Sequence, residues 1–310
     1  MKGLELSKAY YEEYGKPMLA EKFPELMKYL AVGLVGSGSE RYGFDDELSH
    51  DHDFEPAFCI FLPSEDVLDR RSAFQLERAY AKLPKEFMGY TRQPVSPVGG
   101  SRSGVIRTED FYKAAVGAPD GELDMSAWLR IPDYALAEAT NGEVFFDEYG
   151  EFSRIRQGLI TMPRDVFLKR LAGNLLLMNQ SGQYNYPRCA QRGEHEAAQL
   201  AANEFVNAAL KAIFLLHGKY LPYYKWSFKA LRALGTETNY SDRLSALLIG
   251  GLSEEEKYRI IEDVSADIIV ELISRDITKA SCGDLEKHAY SVNDFISDGT
   301  VRNLHILAAI

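Results

Sequence analysis

The apolar patterning of this 310-residue chain changes character near Pro163, and that break constrains the fold more than any other feature. Before it, apolar residues come in short runs, 31–35 and 58–62, the first running into a glycine cluster and the second stopped by Pro63. Runs of that length bounded by turn formers predict buried strands. After it, apolar residues recur at helical spacing across 165–178, 194–217, 226–234, 242–248 and 253–273. Ser253 followed by Glu256 makes a capping-box start for the last of these. The expectation is an α+β chain, with a small mixed-sheet domain over 1–160 followed by an all-helical bundle over 161–310. That length suits about two domains, and no internal repeat is visible.

Within the first domain, Leu4, Tyr10, Tyr11, Tyr14, Leu19, Phe23, Leu26, Met27 and Leu30 predict an opening helix. Ser64, with Glu65 and Asp66 behind it, predicts a helix cap. Residues 91–103, rich in Pro, Gly and Ser, predict a long loop, followed by a strand at 104–108, a helix at 109–116 and a last strand from Gly142. The net charge of −11 argues against binding to a nucleic-acid backbone, which needs clustered Lys and Arg. No run of about 18 apolar residues and no apolar signal core is present, so neither a membrane span nor export is expected. Cys59, Cys189 and Cys282 are odd in number and widely spaced, which suits buried free thiols in a cytoplasmic protein.

The chemistry concentrates in one segment. Val35-Gly36-Ser37-Gly38-Ser39-Glu40-Arg41-Tyr42-Gly43 is a glycine/serine turn that can bring backbone N–H groups against a phosphate, and Asp51-His52-Asp53 follows. Asp45, Asp46 and Glu47 read as a solvated acidic loop. Asp51 and Asp53 differ because they precede an apolar run at a spacing of two. Alternate residues of a strand share a face about 6.5 Å apart, so both carboxylates could reach one divalent cation. An EF-hand would need glycine at Pro56 and glutamate at Leu62. A dinucleotide fingerprint would need a different spacing after Gly38. A His50-Asp51 dyad of a metal phosphohydrolase of the HD type belongs on helices and is a lesser alternative.

In order and nearly in spacing, Gly38-Ser39, Gly43 and Asp51-x-Asp53 resemble the signature of the polymerase-beta-like nucleotidyltransferase superfamily. Gly36-Ser37 offers a second register. Trp128-Leu129-x-Ile131-Pro132, Gly142-x-Val144-Phe145-x-Asp147 and 220–226 look like an uncharacterised bacterial branch of it, a "domain of unknown function" family. The resemblance implies a nucleotidyltransferase core with an appended helical domain. It implies Mg²⁺ on Asp51 and Asp53 and a nucleoside triphosphate, with ATP expected, gripped by Gly38, Ser39 or Ser37. It further implies transfer of a nucleoside monophosphate to a hydroxyl on an unidentified small-molecule or protein acceptor, with release of pyrophosphate.

The superfamily's usual third carboxylate is missing from the candidate strand Gly104-Val105-Ile106-Arg107-Thr108, with Glu109, Asp110 and Asp124 nearby in sequence. An inactive nucleotide-binding regulatory module is therefore the second reading. Arg188 and Arg192, after Pro187 at an expected helix start, could face a triphosphate, as could Lys225 between aromatics. Arg41 could add a charge at the turn or form a surface ion pair. Glu194 is a candidate base, and His195, His217 and His288 are read as structural.

Overall fold

A computed structural model describes residues 1–51, 54–92, 102–249 and 251–310, with the side chains of His50 and Asp51 outside the description. The fold is α+β, with one small mixed sheet and many helices. The chain divides into two compact units, the first of residues 1–122 and 135–161, the second of 123–134 and 162–310.

In the first unit, the opening helix runs Gly3–Tyr10, passes through a π-helical turn Tyr11–Gly15, and continues as Lys16–Lys22. Strands β1 (Ala31–Leu34), β2 (Cys59–Leu62), the short pair β3 (Glu86–Phe87) and β4 (Tyr90–Thr91), β5 (Gly104–Arg107) and β6 (Glu143–Asp147) follow. The main sheet has the order β5-β2-β1-β6. β1 is antiparallel to both β2 and β6, while β2 and β5 are parallel. Every residue of β1 and β2 is buried, which is why these strands read as continuous apolar runs instead of alternating ones.

Both faces of the sheet are covered. On one, Val32, Ile60 and Leu62 join Leu6, Tyr10 and Leu19 of the opening helix and Leu76 and Tyr80 of the helix Arg70–Ala81. On the other, Phe61 stacks on Phe152 with ring centroids 4.0 Å apart and meets Phe111 edge-on at 5.3 Å. Those partners come from the helices Glu151–Ile160 and Thr108–Val116. The cap expected at Ser64 falls elsewhere. Ser64 closes a turn by accepting from Val67 and Leu68, and the helix starts at Arg70 behind Asp69, whose carboxylate accepts the Ser72 N–H at 2.7 Å. Asp69 caps because its backbone is extended immediately before the first helical residue, which brings its carboxylate onto an N–H of the first turn.

The second unit is helical. Its hub is the helix Arg164–Met178, buried nearly all round and packed between His195–Leu216 and Leu285–Asp294. A π-helical turn, Asn179–Asn185, carries it without a break into Tyr186–Gln191. Gly182 of that turn leaves no room for a side chain, since a Cβ there would lie 2.8 Å from Ile261 Cγ2 and against the ring of Phe205. The helices Tyr224–Ala233, Tyr240–Ile249 and Glu254–Ser274 complete the expected set. Ser253 and Glu256 form the capping box, the glutamate accepting the Ser253 N–H at 2.8 Å.

Residues 123–134 belong to this unit, not to the domain that precedes them in sequence. Arg170 provides the physical reason. It pairs with Asp133 at 2.5 Å and donates to the carbonyl oxygens of Trp128 and Ile131. No described helix is long and apolar enough to cross a membrane.

Candidate functional site

The glycine turn leaves the end of β1 as expected and is more rigid than its composition suggests. Gly36 and Gly38 hold φ of 105° and 140°, a region that side-chain-bearing residues rarely adopt. Asn141, just beyond the helix Asp133–Thr140, pairs with Gly36 in both directions. Its Oδ1 accepts the Gly36 N–H at 2.8 Å and its Nδ2 donates to the Gly36 carbonyl at 2.7 Å.

Arg41 departs from the expectation of a surface charge. It is 4% exposed and its Nε donates to the Val35 carbonyl at 2.9 Å. Its terminal nitrogens reach the Arg102 carbonyl at 2.8 Å and the carboxylate of Glu40. Burial pulls the guanidinium below its ordinary value, and the Glu40 carboxylate and two backbone carbonyls hold it in place. Arg41 is therefore an internal strut of the turn, not a charge offered to a ligand. The Glu40 carboxylate packs over Gly38, where a Cβ would stand 2.6 Å from its Oε2.

With the backbone fixed from below, the turn presents Ser37, which is exposed, and Ser39, half-buried. Neither hydroxyl has a hydrogen-bond partner among the described residues. Ser39 begins the short 3₁₀ turn Glu40–Tyr42 without capping it.

Asp51 closes a second 3₁₀ turn, Glu47–Asp51, well ahead of β2 at Cys59. Its backbone is thus not in the strand geometry that motivated pairing it with Asp53. Its side chain, and the whole of His52 and Asp53, lie outside the described residues. Asp45 is not the solvated acid its surroundings suggest. It is 1% exposed, and its Oδ2 accepts the Gly3 N–H at 3.0 Å, so it serves the first turn of the opening helix.

β5 is the parallel neighbour of β2 and carries no acid. Glu109 and Asp110 sit in the first turn of the helix that follows it. Asp124 is committed as the N-cap of Met125–Arg130, accepting the Ala127 N–H at 2.7 Å. A carboxyl that sequence spacing did not single out, Glu138, feels the charge of Arg41 in the turn. It is half-buried, burial raises its pKa, and the Arg102 and Arg41 guanidiniums act against that rise. Burial pushes the Tyr42 phenol upward, and the charge of Glu138 adds to that rise. Glu138 lies three residues before Asn141 in sequence, and no local motif marks either.

Among the described residues, no group of three His, Cys, Asp or Glu side chains gathers to hold a metal ion. The carboxylates expected to hold Mg²⁺, those of Asp51 and Asp53, lie outside the described residues.

The remaining expected residues belong to the second unit. Arg188 and Arg192 do not open a helix. The π turn runs continuously into Tyr186–Gln191, so Arg188 sits in the last turn and Arg192 is the C-cap. Carbonyls, not N–H groups, face outward at that end, which removes the anion-binding argument made from a helix start. The Arg188 guanidinium lies 4.6 Å over the ring of Tyr184. Lys225 is exposed in the first turn of Tyr224–Ala233, its Nζ 5.0 Å over the Trp226 ring. Glu194 is an exposed residue preceding His195–Leu216. His288 is buried between Thr278 Oγ1 and the Cys282 carbonyl, which agrees with a structural role. Of the three free cysteines only Cys59 is buried, Cys189 being intermediate and Cys282 exposed.

The second unit also holds a cavity of about 770 Å³. Tyr134, Tyr223 and Tyr224 line it, as do Arg170 and Asn174 of the hub helix and Lys211 of His195–Leu216.

A family model described as "Domain of unknown function (DUF4037)" matches residues 128–227. The three stretches that suggested such a family, beginning at Trp128, Gly142 and Tyr220, lie inside that range, whose description names no activity. Searches of curated proteins and of solved structures returned no significant match. The chain is thus similar, over well under half its length, to a family of unknown function.

Proposed function

We propose that the turn at residues 36–43 is the phosphate grip of a nucleotidyltransferase that takes ATP and passes the nucleoside monophosphate to an acceptor hydroxyl, releasing pyrophosphate. The observation that carries the reading is the construction of the turn. Two glycines at positive φ are locked by the two-way Asn141 pair and the Arg41 strut, beneath two serine hydroxyls with no described partner. A grip that is already rigid loses little entropy when it closes on phosphate oxygens, and its N–H groups need not be reoriented. The Ser37 and Ser39 hydroxyls would donate to those oxygens.

Mg²⁺ on Asp51 and Asp53 belongs to the proposal and is supported by sequence pattern alone. Glu138, near the turn and with its pKa raised by burial, takes the place in the proposal that the acid-free β5 leaves open, as a base toward the acceptor hydroxyl. Purified protein incubated with Mg-ATP and candidate acceptors tests the reading through pyrophosphate release. Asp51→Asn and Asp53→Asn should each abolish it without lowering the melting temperature. Undiminished release in both variants would sink it.

The acid-free β5, in register beside β2, favours a second reading, a nucleotide-binding regulatory module without turnover. Calorimetric binding of Mg-ATP, with no product under any acceptor and no effect of Glu138→Gln on anything but binding, would select it.

A further inference from the structure

The cavity of the helical unit joins an aromatic wall to a half-buried lysine that has no partner. The Tyr223 and Tyr224 rings are 4.4 Å apart between centroids, and Tyr134 meets Tyr223 edge-on at 6.0 Å. All three tyrosines are exposed, Tyr224 to 75%, so much of each ring is left in water beside the cavity instead of being packed into the core. Leu129, Ile131 and Leu210 add an apolar lining.

The charged side chains of the lining are Arg130, Arg170 and Lys211 against Asp133 and Glu204, an excess of one cation in a chain whose net charge is −11. Arg170 and Asp133 are paired with each other. Glu204 and Arg130 are both exposed and largely screened by water and salt, which leaves the half-buried Lys211 to set the sign of the site. The Lys211 side chain makes no hydrogen bond or ion pair among the described residues. Its charge reaches Asp133, but that carboxylate is already committed to Arg170. Partly burying an ammonium without a counter-ion costs free energy that an anion in the cavity would recover. The helix Tyr224–Ala233 starts at the tyrosine wall with no side-chain cap and no acid in its first turn, so the positive end of its dipole adds to the same sign.

We propose that this cavity binds an aromatic ring system carrying a carboxylate, the ring lying against the tyrosines and the carboxylate meeting the Lys211 ammonium. Each alternative leaves part of the lining unused. A neutral ring leaves Lys211 without a counter-ion. An ammonium adds to the cationic excess. An aliphatic acid forgoes the tyrosine rings, which favour stacked or edge-on aromatic contact. The volume of about 770 Å³ lies within the usual range of small-molecule sites. All the lining residues belong to the second unit, so the site does not depend on the phosphate turn.

The test titrates indole-3-acetate into the full-length chain by calorimetry. Two compounds run in parallel: tryptamine, which puts an ammonium on the same ring, and cyclohexylacetate, which keeps the carboxylate without an aromatic ring. None of them carries a phosphate for the glycine turn to grip. Saturable indole-3-acetate binding is expected at millimolar concentration or below, about tenfold tighter than tryptamine and about fivefold tighter than cyclohexylacetate. Lys211→Met breaks no hydrogen bond or ion pair of the fold and should cost indole-3-acetate about tenfold, while tryptamine binds no more weakly than before. Tyr223→Ala, at an exposed position, should weaken indole-3-acetate about fivefold, and Ser39→Ala should leave it unchanged. If Lys211→Met fails to fold, Tyr223→Ala and the comparison of the three compounds on the unaltered protein carry the test. The proposal is overturned by an absence of saturable binding, or by either comparison compound binding as tightly as indole-3-acetate. Affinity unmoved by a folded Lys211→Met or by Tyr223→Ala overturns it too. Binding lost in Ser39→Ala would place the compound at the turn and overturn it as well. None of these outcomes depends on whether the protein releases pyrophosphate.

Discussion

The carboxamide of Asn141 and the peptide group of Gly36 form a closed two-bond pair, 2.8 Å from N–H to Oδ1 and 2.7 Å from Nδ2 to the carbonyl oxygen, across 105 residues of chain. A side-chain amide here does what a neighbouring strand would do at a regular sheet edge. It satisfies a backbone that must turn away from β1 with Gly36 at a φ of 105°.

Asn141→Leu removes both bonds and leaves a donor and an acceptor unpaired under the turn. A loss of about 1–3 kcal/mol is expected in urea unfolding. If the turn grips phosphate, Mg-ATP affinity should fall by more than the stability change alone explains, because the loosened turn must then be ordered on binding. Unchanged affinity in a folded Asn141→Leu protein would separate the turn's rigidity from nucleotide binding.

Gly38→Ala places a Cβ against the Glu40 carboxylate and 2.7 Å from an Arg41 terminal nitrogen, at a φ of 140°. The buried Glu40–Arg41 pair has little room to move, so a cost of about 1–3 kcal/mol is expected, read as a lowered melting temperature. Ser37→Ala, at the exposed crest of the same turn, should unfold within about 0.5 kcal/mol of the unaltered protein. That contrast distinguishes the strut beneath the turn from the groups it presents.

Arg170→Met leaves Asp133 as an uncompensated carboxyl among buried neighbours, a class of change that costs about 3–5 kcal/mol. The pH dependence follows from the direction of the Asp133 shift. Burial raises its pKa above 3.8, and Arg170 and then Lys211 hold that rise back. A carboxyl with a raised folded pKa contributes stability that is full below its unfolded value and is lost as pH rises through the folded one. Without Arg170 the folded pKa climbs further and the loss at neutral pH grows. The gap between Arg170→Met and the unaltered protein should therefore be largest at neutral pH and shrink as pH approaches 3.8. Urea unfolding at several pH values measures it, and a gap that widened on acidification would contradict the assignment.

Glu138→Gln tests the proposed base. Its raised pKa places the ionised form at a higher pH than an ordinary glutamate, so a rate that needs the carboxylate should rise with pH on the alkaline side of the usual carboxylate range. The variant should lose about a hundredfold or more in rate, the scale of general-base contributions, together with that acidic limb, while its melting temperature stays put. A proportional fall in rate at every pH would indicate a positioning role instead.

The sequence by itself determined what short-range rules govern. Continuous apolar runs marked β1 and β2, helical spacing marked the long helices beyond Pro163, and Ser253 with Glu256 marked a helix start. Each depends on residues a few positions apart, where backbone periodicity and capping act. The glycine turn was legible for the same reason, because a positive φ after a buried strand has few other residues to use it. Tertiary structure alone decided what those local signals stand on. Asn141 stands in the sequence only as the residue before the strand expected from Gly142, and only the antiparallel pairing of β6 with β1 carries it to Gly36. Arg41 reads as a surface charge until the Arg102 carbonyl, 61 residues away, helps to bury it. Residues 123–134 read as part of the first domain until Arg170, pairing with Asp133, draws them into the second unit. Arg188 and Arg192 lie at a helix end instead of a helix start because a π turn lets the helix continue where Pro187 suggests a new one. A buried polar group must find its partner wherever the fold brings one, and that distance along the chain leaves no trace in local pattern.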